Sequence, residues 1–353
     1  MRLPLFIVKT AGTKSWVIPS VLEFLGDWRP KTVIEPFAGS GIVGLSLLNE
    51  GLAERLVLAE KDEDYLAFWR VALGDSNFSY RVSKWTERVL DLPLEHQKPF
   101  VDASLERMKE EDPGLWTLLR SRIGYNGNKV GGYMTEKSRG GILCRWPRTL
   151  DVSLDLLYSL RNKITVVEDA FEALATFDSE DSYAFVDPTY TVTKECPGHK
   201  LYKKVFIDHP KLVSTLATWK GRWQLTYNLS PLDIIPSLYQ LKLAGRAEID
   251  FPEMLSGNGN GGSGKKWEML VKKVSNEQVP MQKRMDEMAM TAEKHRHLLR
   301  LSMPMQRPKR LVAENTLNLL GELRKEFTMN DGVVLAPQYT EGETRTESRR
   351  ADL

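Results

Sequence analysis

Residues 31–43, KTVIEPFAGSGIV, read as a short buried strand, a glycine turn and the start of a helix that runs on through Leu45, Leu47 and Leu48. A second apolar strand follows at residues 55–59 (RLVLA) and ends in the acidic run of residues 60–64. Strand, turn, helix and strand make a β-α-β opening, which predicts an α/β fold built on a doubly wound parallel sheet. Working outward, further strands are predicted at residues 163–167, 183–186 and 223–227, with helical stretches such as residues 209–219 between them. Residues 266–274 (KWEMLVKKV) are expected to close the sheet as an edge strand, behind the glycine-rich run 256–264, which has the composition of a hairpin tip or linker.

Between the second and third strands lie roughly a hundred residues, far more than a crossover connection needs, so something is inserted there. Within it, residues 116–148 set Arg120, Arg122, Lys129, Lys137, Arg139, Arg145 and Arg148 against a single acid, Glu136, with Tyr125, Tyr133 and Trp146 interleaved. Local basic charge mixed with aromatics predicts a surface for phosphates and bases; the alternative is a solvated, loop-rich subdomain. The net charge of +2 over 353 residues conceals this local excess.

The only cysteines are Cys144 and Cys196, too few and too unpatterned for a disulfide framework or a zinc site, which predicts a reducing, cytoplasmic setting. No apolar run is long enough to span a bilayer, so no membrane partner is expected. Cys196 and His199 are read as part of a loop rather than as half a metal site. After residue 276 the character changes. Met281, Met285, Met288, Ala292, His295 and Leu299 form a heptad-like stripe, offering either an amphipathic helix on its own domain or a surface for a second copy or a protein partner through the 277–327 helices. His295 and His297 are expected on a solvated helix face. Residues 311–327 read as another helix and 340–353 as a disordered tail.

Gly39, Gly41 and Gly44 fit G-x-G-x-x-G after a strand, with Glu60 at the end of the next strand. The glycines let backbone approach a ligand, and the carboxylate accepts from ribose hydroxyls. Any adenosine cofactor satisfies that physics, so the turn leaves NAD and S-adenosylmethionine open. Two further segments bear on the choice. Residues 183–190 (YAFVDPTY) put an acid, a proline and an aromatic at a strand end, and residues 9–14 (KTAGTK) put two lysines around a glycine before the first helix.

With IEPFAGSG, these segments resemble the Dam-like (D12) class of DNA adenine-N6 methyltransferases, whose order is a lysine-glycine motif, the cofactor glycine loop, a target-recognition insertion and then D-P-P-Y. The likeness extends through residues 206–228 and covers most of 9–274, but none of the tail. It implies a Rossmann-like class I methyltransferase sheet formed by a catalytic domain of residues 1–75 and 163–276. A mainly helical and loop target-recognition subdomain would occupy 76–162, and a helical extension 277–339. A chain cut after Asn276 is accordingly expected to keep a folded, active core.

The resemblance also implies the chemistry. An adenine amino group is a poor nucleophile because its lone pair is delocalised into the ring. In the family, the acid and the carbonyl of the next proline accept hydrogen bonds from both N6 protons and turn that lone pair toward the sulfonium methyl. Asp187 and Pro188 match those positions, and Tyr190 would stack on a flipped-out adenine. Lys9, Gly12, Lys14, Phe37, Gly39, Gly41 and Glu60, with Asp169, Phe171 and Asp187, would line the S-adenosylmethionine pocket. Tyr125, Asn126 and Gly127 resemble an aromatic-Asn-Gly element of the recognition insertion, so that Arg120, Arg122, Tyr125, Asn126, Lys129, Lys137, Arg139 and Arg145 would meet DNA, at the nucleoid. The match departs at Thr189, where the family usually has a second proline. That departure keeps open a catalytically silent DNA-binding relative, and a methyltransferase acting on RNA is the further alternative.

Overall fold

The computed structural model of the chain describes residues 6–10, 12–127, 129, 132–135, 141–144, 146–189, 207–229, 234–257, 263–275, 278–302 and 307–329. Its strands are β1 (Thr32–Glu35), β2 (Arg55–Ala59), β3 (Ile164–Val167), β4 (Ser182–Val186), β5 (Arg222–Tyr227), β6 (Ala247–Asp250), β7 (Glu253–Gly257), β8 (Ser263–Trp267) and β9 (Met269–Lys273). Seven of them form one sheet in the order β3-β2-β1-β4-β5-β9-β6, in which β1 to β5 pair in parallel and β9 runs antiparallel to both of its neighbours. The fold is the Rossmann-like α/β class expected from the opening β-α-β unit.

Alternation along each strand feeds two cores. Val33, Leu56, Leu58, Tyr183 and Phe185 face one side, while Ile34, Val57, Ala59, Ala184 and Val186 face the other. Strands buried on both faces require helices on both faces. On the first side pack α1 (Ile18–Leu25), α2 (Ile42–Asn49), α3 (Glu63–Gly74), α4 (Phe78–Asp91), α5 (Leu94–Glu111), α6 (Pro113–Ile123) and α7 (Leu150–Ser159). On the second pack α8 (Ala170–Thr176), α9 (His209–Thr218), α10 (Ile235–Leu243), α11 (Met281–Leu301) and α12 (Arg307–Met329).

The inserted segment supplies α4 to α7. In α4 the buried residues Phe78, Val82, Trp85 and Val89 recur at helical spacing, and they join the core that already holds Val33 and Leu56. The insertion therefore continues the domain's own core on one face of the sheet.

Residues 266–274 do not form an edge. The interior strand β9 lies between β5 and β6, because Met269, Leu270 and Val271 are buried in succession and need cover on both faces. The edge is β6, whose exposed Glu248 between buried Ala247 and Ile249 suits a strand with one open side. The paired strands β7 and β8 flank the glycine-rich run, of which 258–262 lie outside the described residues.

The stripe after residue 280 is filled from within the chain. Met288, Ala292, His295, Leu298 and Leu299 of α11 are buried, as are Ala313, Leu320 and Leu323 of α12, while Met281 and Met290 stay exposed. His295 is not solvated, as the sequence suggested. Its Nε2 donates to the Leu229 carbonyl at 2.6 Å, its Nδ1 lies 3.1 Å from the Tyr239 hydroxyl, and its ring stacks on Tyr239. Burial pushes its pKa down to about 4, so the ring is neutral at pH 7. Among the described residues no helix is long and apolar enough to cross a membrane.

Candidate functional site

The ends of β1, β2, β3, β4 and β5 converge where open α/β sheets bind ligands, outside the carboxyl ends of the strands. After β1 the chain turns through Gly39 and Gly41, both with left-handed backbone (φ 47° and 60°), and Gly41 begins α2. A Cβ on Gly44, one turn further, would stand 2.3 Å from a Leu56 methyl and 2.9 Å from Glu35 Oε1, so only glycine lets α2 lie this close to the sheet. Glu35 accepts from the Gly44 N–H at 2.5 Å. Burial pushes its carboxyl up to about 8, against that hydrogen bond and with a further rise from Asp187, which favours the neutral acid.

Glu60, just past β2, accepts from the Gly39 N–H at 2.9 Å through Oε2 and from the Asp62 N–H at 2.8 Å through Oε1. It thereby ties the glycine turn to the acidic run. Burial pushes its carboxyl up to about 7, opposed by those two backbone donors. After β3, Asp169 caps α8, its Oδ1 accepting from Phe171 and Glu172 N–H groups at 2.9 Å. Phe171 and Phe37 are half-buried against the same core, and Lys211 lies over the Phe171 ring. Of the pair Asp169 and Phe171, then, the acid caps a helix and the ring packs on the core beneath Lys211.

Asp187 follows β4 and is held on two sides. Its Oδ1 accepts from the Thr226 hydroxyl at 2.6 Å, and its Oδ2 lies 3.0 Å from Lys14 Nζ. Lys14 is 5% exposed, also donates to the Gly12 carbonyl at 2.8 Å, and stands 3.7 Å from Glu268. Burial lowers the Lys14 pKa, but Asp187 and Glu268 more than offset this, so the net shift is upward and the ammonium keeps its charge. Pro188 is buried beside Asp187, and Thr189 is half-buried. Lys9 enters through its backbone, its N–H donating to Ser121 Oγ of α6 at 3.2 Å. Tyr190, Lys137, Arg139 and Arg145 lie outside the described residues.

Three residues expected to meet nucleic acid are inside the protein. Arg120 is 8% exposed and donates from Nε to the Lys129 carbonyl at 2.9 Å. Arg122 donates to the carbonyls of Phe6 and Ile7 and covers the Phe6 ring. Lys129 is 3% exposed between Asp62 and Asp64. The correction has one physical cause: each of these cations has main-chain carbonyls or carboxylates for partners and is buried with them, so none is free to neutralise a phosphate. Tyr125 does lie at the surface, and Asn126 and Gly127 follow it in a single 3-10 turn. Arg122→Ala should therefore cost about 3 kcal/mol, because it strips the guanidinium donors from the buried Ile7 carbonyl and the partly buried Phe6 carbonyl and leaves a gap under the Phe6 ring. Urea denaturation checks this; an unchanged midpoint would mean that those carbonyls find other donors.

Sequence reasoning missed Thr226, Glu268, Asp62 and Asp64. The two aspartates were in plain view in the acidic run. Thr226 and Glu268 are brought to Asp187 only by the pairing of β4, β5 and β9, which no local spacing signals.

No family model and no curated protein matches the chain. Solved structures similar to it include precorrin-6y C5,15-methyltransferase from Geobacter metallireducens GS-15 (12% identity over 78% of this chain and 100% of that one, TM-score 0.38). Precorrin 8w decarboxylase from Methanobacterium thermoautotrophicum (13%, 77% and 99%, 0.35) is another. A third is TrmK of M. capricolum in complex with S-adenosyl-homocysteine (7%, 89% and 98%, 0.36). Likeness at this level assigns neither a substrate nor a residue.

Proposed function

We propose that this chain is an S-adenosylmethionine-dependent methyltransferase of the Dam-like kind that modifies N6 of adenine in DNA. The observation that carries the reading is the frame around Asp187. One carboxylate oxygen is anchored by Thr226, and the other is turned toward an N–H donor, here the Lys14 ammonium, beside the buried Pro188. A carboxylate so held is an acceptor for an amino group, and the next carbonyl along the chain is a second.

The residues fit an adenosine cofactor. The left-handed glycine turn brings backbone to the strand ends, and each Glu60 oxygen accepts one backbone N–H and keeps capacity for a hydroxyl donor. Phe37, after β1, and Phe171, after β3, offer half-buried apolar surface. S-adenosylmethionine, when bound, supplies a methyl group on a sulfonium. The chain's own part is to hold the target amine: Asp187 and the Pro188 carbonyl accept hydrogen bonds from its two N–H groups, and the nitrogen turns pyramidal with its lone pair free. Transfer would exchange the methyl carbon's bond to sulfur for one to nitrogen, and Asp187 then takes the surplus proton from nitrogen or passes it to water.

Incubation with labelled S-adenosylmethionine and mixed-sequence DNA, followed by mapping of N6-methyladenine, tests the reading. Label in a parallel RNA sample and none in DNA would move the substrate to RNA. Label in neither, with the cofactor bound, would leave a silent relative.

Glu60→Ala should weaken S-adenosylmethionine binding by about 1.5–3 kcal/mol, roughly ten- to a hundredfold, through loss of a charge-assisted hydrogen bond. The sign with pH follows from a folded pKa near 7. Hydroxyl donors favour the ionised carboxylate, so affinity should fall as pH drops through 7 and level off above 8. Calorimetry across that range checks both; equal binding by the variant means that another carboxylate holds the ribose.

A further inference from the structure

We propose that Lys129, carried by the inserted segment, is a positioning residue for Glu60, so that the insertion completes the cofactor pocket; this rests on the reading of Glu60 as the cofactor's ribose acceptor.

The link is short and continuous. Lys129 Nζ lies 2.5 Å from Asp62 Oδ1 and 2.7 Å from Asp64 Oδ2, with the Tyr65 ring beneath it at 4.2 Å. Asp62 Oδ1 also accepts from the Asp64 N–H at 3.0 Å and so caps α3. The Asp62 N–H donates to Glu60 Oε1, and Glu60 Oε2 receives the Gly39 N–H. A lysine of the insertion is thus two residues removed from the glycine turn, through Asp62 and then Glu60.

Charge explains why a lysine is needed there. Glu60, Asp62 and Asp64 are three acids within five positions, and the neighbouring Asp62 charge adds to burial in disfavouring ionisation of Glu60. The N-terminus of α3 offsets part of this, and the Lys129 ammonium pairs with both Asp62 and Asp64. Its own place is fixed from the insertion side. The Lys129 carbonyl accepts from Arg120 Nε, and the turn just before it lies on the N-terminal segment, where a Cβ on Gly127 would stand 3.0–3.1 Å from the Lys9 and Thr10 backbone. The Tyr65 hydroxyl reaches the Lys9 carbonyl at 3.5 Å, closing the ring of contacts. A lysine that served DNA phosphates would instead be exposed.

The test is calorimetric titration of the full-length chain with S-adenosylhomocysteine between pH 6 and 9. Lys129→Met should raise the pH midpoint of binding by about one unit, a loss of about tenfold in affinity on its acid side, with near-normal binding restored at pH 9. Lys129→Gln keeps an N–H donor for Asp62, serves where the methionine variant does not fold, and should show the same upward shift. Lys129→Arg should restore much of the wild-type profile. Arg122→Met, equally buried in the insertion but without a link to Glu60, should lower thermal stability and leave the midpoint where it is. In a Glu60→Gln background, adding Lys129→Met should change nothing further. A wild-type midpoint in Lys129→Met and Lys129→Gln, with Glu60→Gln weakened as expected, overturns the proposal alone. Undiminished binding by Glu60→Gln overturns the reading of Glu60 itself.

Discussion

Deleting residues 277–353 should leave a chain that no longer folds to a stable, soluble domain. The sequence, whose likeness to a family ends at the last strand, suggested the opposite. The structure reverses that expectation because α11 and α12 are part of the second core. Met288, Leu298, Leu299, Leu320 and Leu323 are buried, and burying that many large apolar side chains is worth on the order of 10 kcal/mol, comparable with the whole stability of a domain. The loss is also polar. His295 donates to the Leu229 carbonyl, two residues beyond the end of β5, and stacks on Tyr239 of α10. Without it, the segment following Thr226 and Tyr227 loses a buried hydrogen bond next to the strand end that anchors Asp187. Expression of residues 1–276 with circular dichroism and thermal melting checks this. A soluble fragment that melts cooperatively and binds S-adenosylhomocysteine like the full chain would show the extension to be an addendum after all.

The β-α-β opening was legible because buried parallel strands and a glycine turn announce themselves locally: TVI and RLVLA are apolar runs of strand length, and Gly41 stands where a left-handed residue begins α2. β6 was missed and β9 was misplaced as an edge for the same reason. Whether a strand is interior depends on what pairs with it, and β9 pairs with two strands distant in sequence. The basic insertion shows the limit of charge as a signal. Arg120, Arg122 and Lys129 look like a phosphate-binding set in a linear count, yet each is consumed by a buried carbonyl or carboxylate, one of them 115 positions away. In the same way His295 falls on a methionine stripe whose partner, α10, cannot be read from α11 itself. Thr189 fares differently: the acceptors assigned by resemblance, the Asp187 side chain and the Pro188 carbonyl, both precede it, so the departure from the family pattern leaves them in the chain.

Asp187→Asn should reduce methyl transfer by on the order of 10²- to 10³-fold while leaving cofactor affinity within about twofold of wild type. Asparagine preserves the volume and can still accept from Thr226 through its single oxygen, the bond that wild-type Oδ1 makes at 2.6 Å. The other side of the side chain then presents an amide N–H where Oδ2 faced Lys14. An incoming amino group meets a donor instead of an acceptor, and the lone pair of its nitrogen is no longer turned outward. The same substitution strips Lys14 of its nearest carboxylate and leaves a buried ammonium with Glu268 at 3.7 Å, so thermal stability should fall as well. The two effects can be separated. Adding Lys14→Met to Asp187→Asn removes the uncompensated charge and should return much of the stability, with turnover staying low because the acceptor is still missing. Single-turnover assays on methylatable DNA, paired with calorimetry and thermal melts, read all three quantities. Turnover near wild type in Asp187→Asn would show that this carboxylate is not the acceptor of the target amine. Turnover recovered in the double variant would show that the single variant was slow only through damage to the Lys14 frame.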